Sequence, residues 1–134
     1  MKTGPVGEHG FPRENRLLSA ENYSRVFDGS EARASHKHLL ILAKTNQLSR
    51  RRLGLVIAKK NVRKAVQRNR VKRLTREFFR QLPSPDTGFD AIVLARRGID
   101  GLDNNELTAV LQQQWDKLER HINRAVSTPE QDKP

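Results

Sequence analysis

The segment Arg50–Arg80 places the strongest constraint on the fold and function of this chain. It concentrates positive charge in a stretch that also has the pattern of regular secondary structure. It holds thirteen of the 26 Lys and Arg residues and one acid, Glu77, so its net charge is +12. The whole 134-residue chain carries +11, so the remainder is almost neutral. A block of cations confined to one part of a folded chain predicts a surface that binds a polyanion.

The second half of this segment has the period of an amphipathic helix. The helix is predicted to start between residues 62 and 66 and to end near Leu82, since Pro83 and Pro85 cannot continue its hydrogen bonds. An apolar stripe is expected to pack on a sheet and consists of Val71, Leu74, Phe78 and Leu82. The other face is predicted to be an exposed ladder of Arg68, Asn69, Lys72, Arg73 and Arg76, with Arg70 on its flank.

The spacing and composition of this ladder suit a nucleic-acid backbone. Side chains at i and i+4 rise about 6 Å along the helix axis, which is close to the distance between successive phosphates. A guanidinium can bind a phosphate through two parallel hydrogen bonds. A solvated helix face is the alternative, but such a face more often mixes both signs of charge. Asn69 could bind a base edge, a ribose hydroxyl or a metal-bound water, or have no role.

Three short apolar runs predict β-strands, at His38–Lys44, Leu53–Lys59 and Phe89–Ala95. The first two follow one another and are expected to pair antiparallel. Lys59 and Lys60 close the second run, so they should face opposite sides of the sheet. Residues 29–36 are polar and are predicted to form a loop.

Two further helices are predicted from their end signals. Ser19 is a suitable cap for a short helix that ends before Gly29. Asp103 and Glu106 have the spacing of a capping box for a final helix from Asn104 to Ala125. The element order is then α-β-β-α-β-α, which predicts a two-layer α/β or α+β sandwich with a small mixed sheet.

Composition excludes several classes of protein. No apolar run is long enough to span a membrane, no secretory signal is recognisable, and cysteine is absent, which together favour the cytoplasm. The four histidines form no metal-ligand set, and no catalytic triad is suggested, so we expect no catalytic or metal-binding residue and no small-molecule substrate. Aromatic residues make up 5% of the chain and no helix-turn-helix is predicted, so structured RNA is favoured over DNA.

The basic segment resembles the signature region of the bacterial ribonuclease P protein subunit, in which Arg68–Asn69–Arg70 is the central motif. Weaker similarities to the same family lie at Phe11–Leu18 with Tyr23–Phe27, and at Asp90–Gly98. The resemblance extends over about residues 11–122. It implies the fold of the second domain of ribosomal protein S5, with a left-handed β-α-β crossover around the basic helix, against the usual right-handed rule.

The resemblance also implies a function. Proteins of this family pair with a large catalytic RNA that removes the 5′ leader of precursor tRNA, and the RNA holds most of the Mg²⁺. The implied RNA-binding residues are Lys59, Lys60, Arg68, Asn69, Arg70, Lys72, Arg73 and Arg76. The implied leader cleft lies between the first helix and the sheet and includes Tyr23, Phe27 and Lys44. Without the resemblance, the sequence favours core packing for the two aromatic residues. It also favours reading Lys44 as an ordinary cation at the end of a strand.

We therefore expect the protein subunit of a ribonucleoprotein endoribonuclease, with the catalytic RNA and precursor tRNA as partners and no catalysis by the protein alone. A general or ribosome-associated RNA-binding protein of the same fold is the first alternative, and a metal-dependent nuclease is the second. The expected organisation is a flexible segment at residues 1–15, one RNA-binding domain at residues 16–125 and a disordered tail at residues 126–134.

Overall fold

Three helices and a four-stranded sheet make up the part of the chain that the structure describes. The structure, a computed structural model, describes residues 16, 19–46, 48, 50–83 and 88–131, with side chains described as far as residue 122. The elements in chain order are α1 (Ala20–Gly29), β1 (Ala32–Ser35), β2 (Leu39–Thr45), β3 (Arg52–Val56), α2 (Ala65–Arg80), β4 (Phe89–Ala95), a 3₁₀ turn (Ile99–Gly101) and α3 (Asn104–Gln131).

The sheet has the strand order β1-β2-β4-β3. β2 pairs antiparallel with both β1 and β4, and β3 pairs in parallel with β4. The mixed α/β class is confirmed, but two details of the prediction are wrong. β1 lies within residues 29–36, which were expected to form a loop, and β2 does not pair with β3, because β4 is inserted between them.

The two faces of the sheet carry different helices. One face packs against α2 and α3 in the larger core, where Ile41, Val93, Val71 and Leu111 are all buried. The other face carries α1, whose Val26 is buried in a smaller cluster on Leu42 and Ile92. This separation follows from the strand pleat, because successive side chains of a strand point to opposite faces. The basic helix therefore packs on one side of the sheet, and α1 packs on the other.

The sequence signals at the N-termini of α1 and α3 are confirmed, whereas the predicted end of α1 before Gly29 is wrong, since the helix includes Gly29. The Ser19 hydroxyl accepts a hydrogen bond from the amide of Asn22 at 3.1 Å. The Asp103 carboxylate accepts from the amide of Glu106 at 2.8 Å, and the Glu106 carboxylate accepts from the amide of Asp103 at 2.9 Å. These bonds satisfy amides that have no partner inside their helices. α3 extends to Gln131, beyond the predicted end at Ala125.

The apolar stripe of α2 packs as predicted. Val71 and Phe78 are buried, and Leu74 and Leu82 pack against the same core. Phe79 is also buried, with its ring edge-on to Trp115 of α3 at a centroid distance of 4.7 Å.

The parallel β3–α2–β4 unit that the resemblance implied is present, and the handedness of its crossover stays a prediction. The domain boundaries stay predictions too, and residues 1–15 and 132–134 lie outside the described residues.

The absence of a side chain at Gly54 allows α1 to dock on β3. A Cβ atom at this position would lie 2.7–2.8 Å from three atoms of the Tyr23 side chain, which is closer than van der Waals contact. The Tyr23 hydroxyl also accepts a hydrogen bond from the amide of Leu55 at 3.3 Å. Tyr23 is therefore fixed between α1 and β3 by its ring and by its hydroxyl.

We expect the substitution Gly54→Ala to destabilise the protein by about 1–3 kcal/mol, because Tyr23 and α1 must move to admit the methyl group. Urea unfolding measures the change. Gly101→Ala is the control, since nothing lies within 4 Å of a Cβ at that position. In a double-mutant cycle, Gly54→Ala should cost much less once Tyr23 is replaced by Ala, because the clash is then absent. An equal loss of unfolding free energy with Tyr23 and with Ala at position 23 would show that Gly54 and Tyr23 are not in close contact.

Candidate nucleic-acid interface

The outer face of α2 divides into exposed cations and cations held by the protein itself. Asn69 and Arg73 are exposed and Lys72 is half-buried, and none of these three side chains has a hydrogen bond or ion pair within the described part of the chain. Arg76 is half-buried, and burial together with the positive charge of Arg16 lowers the pKa of its guanidinium. The open part of the predicted ladder is therefore its middle, at Asn69, Lys72 and Arg73.

Arg68 reaches back to the turn that precedes its own helix. Its Nη1 donates to the carbonyl oxygens of Val62 at 2.9 Å and of Arg63 at 2.8 Å. Both acceptors are neutral, so the guanidinium is fixed in position while its charge remains uncompensated. Whether Arg68 also contacts RNA stays a prediction.

Arg70 joins α2 to the connection between β4 and α3. Its Nη2 donates to the carbonyl oxygens of Leu102 at 2.9 Å and of Asp100 at 3.3 Å. Its Nη1 donates to Oδ1 of Asn104 at 2.8 Å, and its Nε donates to Oε1 of Gln67 at 2.9 Å. The sequence pattern could not reveal the partners of Arg70 beyond α2, which lie 30 or more residues away in sequence.

Lys59 and Lys60 lie on a turn after β3, which ends at Val56, so the expectation that they occupy a strand is wrong. Both side chains are exposed. Three cations near them were missed as candidate binding residues, namely Arg63, Lys64 and Arg97. Their position after a strand end could have identified the first two, since loops commonly carry binding residues. Arg97 could be found only from the fold, which brings its turn beside the turn at Lys60.

Few carboxylates offset these charges. Within the described residues, the ion pairs are Arg52 with Asp90, Arg80 with Glu77, and Lys44 with Glu31. Of these three pairs between described residues, that of Arg80 is the one that involves α2, and it lies at the last turn of the helix. The cations in the middle and at the start of α2 therefore keep their charge available to an external anion.

The residues of the predicted leader cleft lie together on the α1 side of the sheet. Phe27 is 44% exposed, so it is not a core residue, and Val26 beside it fills the core instead. Tyr23 is half-buried against Gly54. Lys44 donates to the carbonyl oxygen of Gly29 at the end of α1, at 3.4 Å. The three residues therefore border one surface, and Phe27 has the more exposed of its two aromatic rings.

A partly buried ion pair lies on the same face of the sheet, where Asp90 is opposite Lys44 in the β2–β4 register. Nε and Nη2 of Arg52 donate to the two carboxylate oxygens of Asp90, each at 2.8 Å, and Nδ2 of Asn46 donates to the same carboxylate at 2.8 Å. The hydrogen bond to Asp90 is the main cause that raises the pKa of Arg52, while burial acts in the opposite direction. Asp90 is 1% exposed, so its charge is compensated within the protein.

We expect Asp90→Asn to destabilise the protein by about 3 kcal/mol, because Arg52 would lose its buried counter-charge. Thermal or urea unfolding measures this loss. Asp28→Asn removes the same charge from an exposed position of α1 and should change the unfolding free energy by less than about 0.5 kcal/mol. Similar stabilities for the two variants would show that the Arg52–Asp90 pair contributes little.

Other kinds of site are not found in the described residues. No group of three or more His, Cys, Asp or Glu residues lies close enough to hold a metal ion. No helix there combines the length and the apolar character that crossing a bilayer requires. The described features are thus an α/β fold with an uncompensated cationic face on one helix, and they indicate a protein of the nucleic-acid-binding class.

Comparison with known proteins is consistent with that class and gives the family. The Ribonuclease P family model matches residues 11–119. The ribonuclease P protein component of Chromohalobacter salexigens is 46% identical over 126 residues, which are 92% of this chain and 98% of that protein. Its counterpart from Pseudomonas aeruginosa is 47% identical over 117 residues, 87% of each chain. The chain belongs to the ribonuclease P protein component family.

Solved structures of RNase P proteins share the fold. A mutant RNase P protein from Staphylococcus aureus superposes with a TM-score of 0.74 at 22% identity, covering 80% of this chain and 90% of that one. The RNase P protein from Thermotoga maritima gives a TM-score of 0.64 at 26% identity, and the match covers 78% of this chain and 96% of that one. The architecture is therefore common to proteins whose sequences have diverged widely.

Proposed function

We propose that this protein is the protein subunit of a bacterial-type ribonuclease P, in which it binds the catalytic RNA and the 5′ leader of precursor tRNA. The observation that carries the proposal is the uncompensated cationic face of α2 in a chain of this family. Its cations lower the repulsion between two polyanions, the catalytic RNA and its substrate, and so help them to associate. The complex acts in the cytoplasm.

The two sides of the sheet are proposed to bind different RNAs. On one side, Lys72 and Arg73 with the cations of the preceding turn contact the backbone of the catalytic RNA. On the other side, the surface bordered by Tyr23, Phe27 and Lys44 takes the single-stranded leader, with a base stacked on Phe27. Separate surfaces suit a protein that has to hold catalyst and substrate at the same time.

The chemistry is proposed to belong to the RNA partner. Mg²⁺ held mainly by that RNA supplies the activation of water and the stabilisation of the leaving oxygen in phosphodiester cleavage. The protein contributes position and charge: α2 neutralises phosphates of the RNA, and the α1 side restrains the leader.

A reconstitution experiment tests this function. Precursor tRNA is incubated with Mg²⁺ and the cognate catalytic RNA, with and without the protein, and a third reaction contains the protein alone. We expect the protein to accelerate cleavage by the RNA at low salt, with no cleavage in the third reaction. A protein without effect on the RNA reaction would be a general RNA-binding protein, and cleavage by the protein alone would indicate a nuclease.

Replacing both Lys72 and Arg73 by Gln should weaken binding to the catalytic RNA and reduce the salt dependence of the binding constant. The logarithmic slope should fall by about one unit for each phosphate that the variant no longer neutralises. Lys117→Gln with Arg120→Gln on α3 is the matched control, since it removes two exposed cations from another helix. Equal slopes for the two double variants would exclude the middle of α2 as an RNA-binding face.

Phe27→Ala should weaken binding of leader-bearing precursor tRNA more than binding of mature tRNA, by about 1–3 kcal/mol if one base stacks on the ring. The exposure of Phe27 means that the variant should remain folded, which circular dichroism can verify. Val66→Ala, at an exposed apolar position of α2, should leave the difference between the two tRNAs unchanged. Equal losses of affinity for both tRNAs would show that the leader does not bind at Phe27.

A further inference from the structure

The hairpin that joins β1 to β2 has two histidines at its tip, His36 and His38, on either side of Lys37. The amide of His36 donates to the carbonyl oxygen of Leu39 at 2.8 Å, which closes the hairpin with a short turn. Inside this turn the amide of His38 donates to Nδ1 of His36 at 3.1 Å. A side chain that accepts from the amide two residues later is typical of Asn or Asp in an Asx turn. Here an imidazole takes that position.

The imidazole makes this hydrogen bond depend on the protonation of His36. A ring nitrogen of histidine accepts a hydrogen bond only while it carries no proton, and both ring nitrogens are donors in the charged ring. Protonation of His36 at Nδ1 therefore removes the acceptor and leaves the amide of His38 without its partner. The turn thus contains a bond that exists in one protonation state and not in the other.

The tip of the hairpin is tied to the chain that leaves β4. The amide of Arg96 donates to the carbonyl oxygen of His38 at 3.0 Å. Nη1 of Arg96 donates to the carbonyl oxygen of His36 at 2.8 Å and to Oγ of Ser35 at 3.0 Å. Ser35 is opposite Leu40, which packs in the cluster under α1, so these contacts lie on the α1 side of the sheet. A displacement of His36 would therefore also break the contacts of Arg96.

The surroundings of His36 favour its neutral form. Burial is the main cause that lowers the pKa of His36, and the positive charges of His38, Lys37 and Arg96 lower it further. The two imidazole rings are 5.5 Å apart between centroids. Among the described residues, no carboxylate acts on the pKa of His36 in the opposite direction. Acidification therefore adds a charge to His36 where its neighbours are already cationic.

The second histidine packs on the turn that follows β4. A Cβ at Gly98 would lie 3.1–3.2 Å from two atoms of the His38 ring, so the glycine permits this close approach. Nδ1 of His38 is buried and has no hydrogen-bond partner among the described residues. A buried polar atom without a partner costs free energy, which exposure to water returns. This contact therefore favours release of the tip once the bond to His36 is lost.

We propose that the tip of the β1–β2 hairpin is a proton-sensitive latch, which neutral His36 closes against the exit of β4 and protonated His36 opens. Opening breaks the bond between the amide of His38 and His36 and frees the guanidinium of Arg96 on the α1 side of the sheet. The opening is confined to the tip, because Ala34 and Leu39 beside it are buried in the larger core. The latch does not depend on the proposed function.

A pH titration of the full-length protein, followed by NMR, tests the latch. The amide shifts of His38 and Arg96 should follow the titration of the His36 ring, with a midpoint below the ordinary histidine pKa of about 6.5. Protection of the His38 amide against hydrogen exchange, corrected for its intrinsic rate, should fall about tenfold on acidification, because one hydrogen bond is lost. Amide shifts that stay constant while His36 titrates would overturn the latch.

Two substitutions distinguish the histidines. His36→Asn keeps an acceptor near the position of Nδ1 but cannot be protonated, so the His38 amide should stay protected at acidic pH. His38→Gln removes the second imidazole and keeps His36, so the amide shift of residue 38 should still follow the His36 titration. An amide titration that persists in the first variant or disappears in the second would exclude His36 as the switch.

His121 supplies the matched control, because it also contacts β1. Its Nδ1 lies 3.1 Å from the carbonyl oxygen of Arg33, away from the tip of the hairpin. His121→Asn should leave the pH dependence of the His38 amide as it is in the wild type. Loss of that dependence in this variant would assign the switch to the contact between α3 and β1 and overturn the proposal.

Urea unfolding at several pH values gives an independent test. Because the pKa of His36 is lower in the folded chain than in the unfolded chain, its stabilising contribution is complete above about pH 6.5. The contribution is lost as the pH falls through that value toward the folded pKa. The unfolding free energy of the wild type should therefore decrease relative to that of His36→Asn on acidification. A difference between the two proteins that is the same at every pH would overturn the latch.

Discussion

The parallel pairing of β3 with β4 is the constraint on which the rest of the structure depends. A hairpin cannot join parallel neighbours, so the chain between them has to cross the sheet, and α2 is that crossover. Burial of Val71, Phe78 and Phe79 fixes the inner face of α2 on the sheet and α3. The opposite face of the same helix then has to be exposed, and that face carries Asn69, Lys72 and Arg73.

The same pairing brings distant loops together. Because β3 and β4 run in the same direction, the turns that leave them meet at one edge of the sheet, and their cations line a single depression. Carbonyl oxygens hold Arg68 and Arg70 there without cancelling their charge. On the α1 side the chain uses a carboxylate instead, since Asp90 neutralises Arg52.

Local patterns predicted the elements better than their arrangement. The period of α2, the limits of β4 and the caps at Ser19 and Asp103 depend on nearby residues, and all are confirmed. β1 was missed because Ala32 and Ala34 are too small to give a clear alternation of hydrophobicity. The pairing of β2 was wrong because the choice of a partner strand depends on contacts between residues far apart in sequence.

The sequence by itself determined that a strongly basic helix would pack through one apolar stripe and leave cations on its other face, since helical period and charge are local properties. Only the tertiary structure decided which cations are open and which are bound internally. Arg70 and Arg73 are equivalent in chemistry and three residues apart, yet Arg70 meets carbonyl oxygens near Leu102 and Arg73 meets solvent. That difference arises because the crossover brings α2 beside the start of α3, a contact between residues that no local pattern encodes.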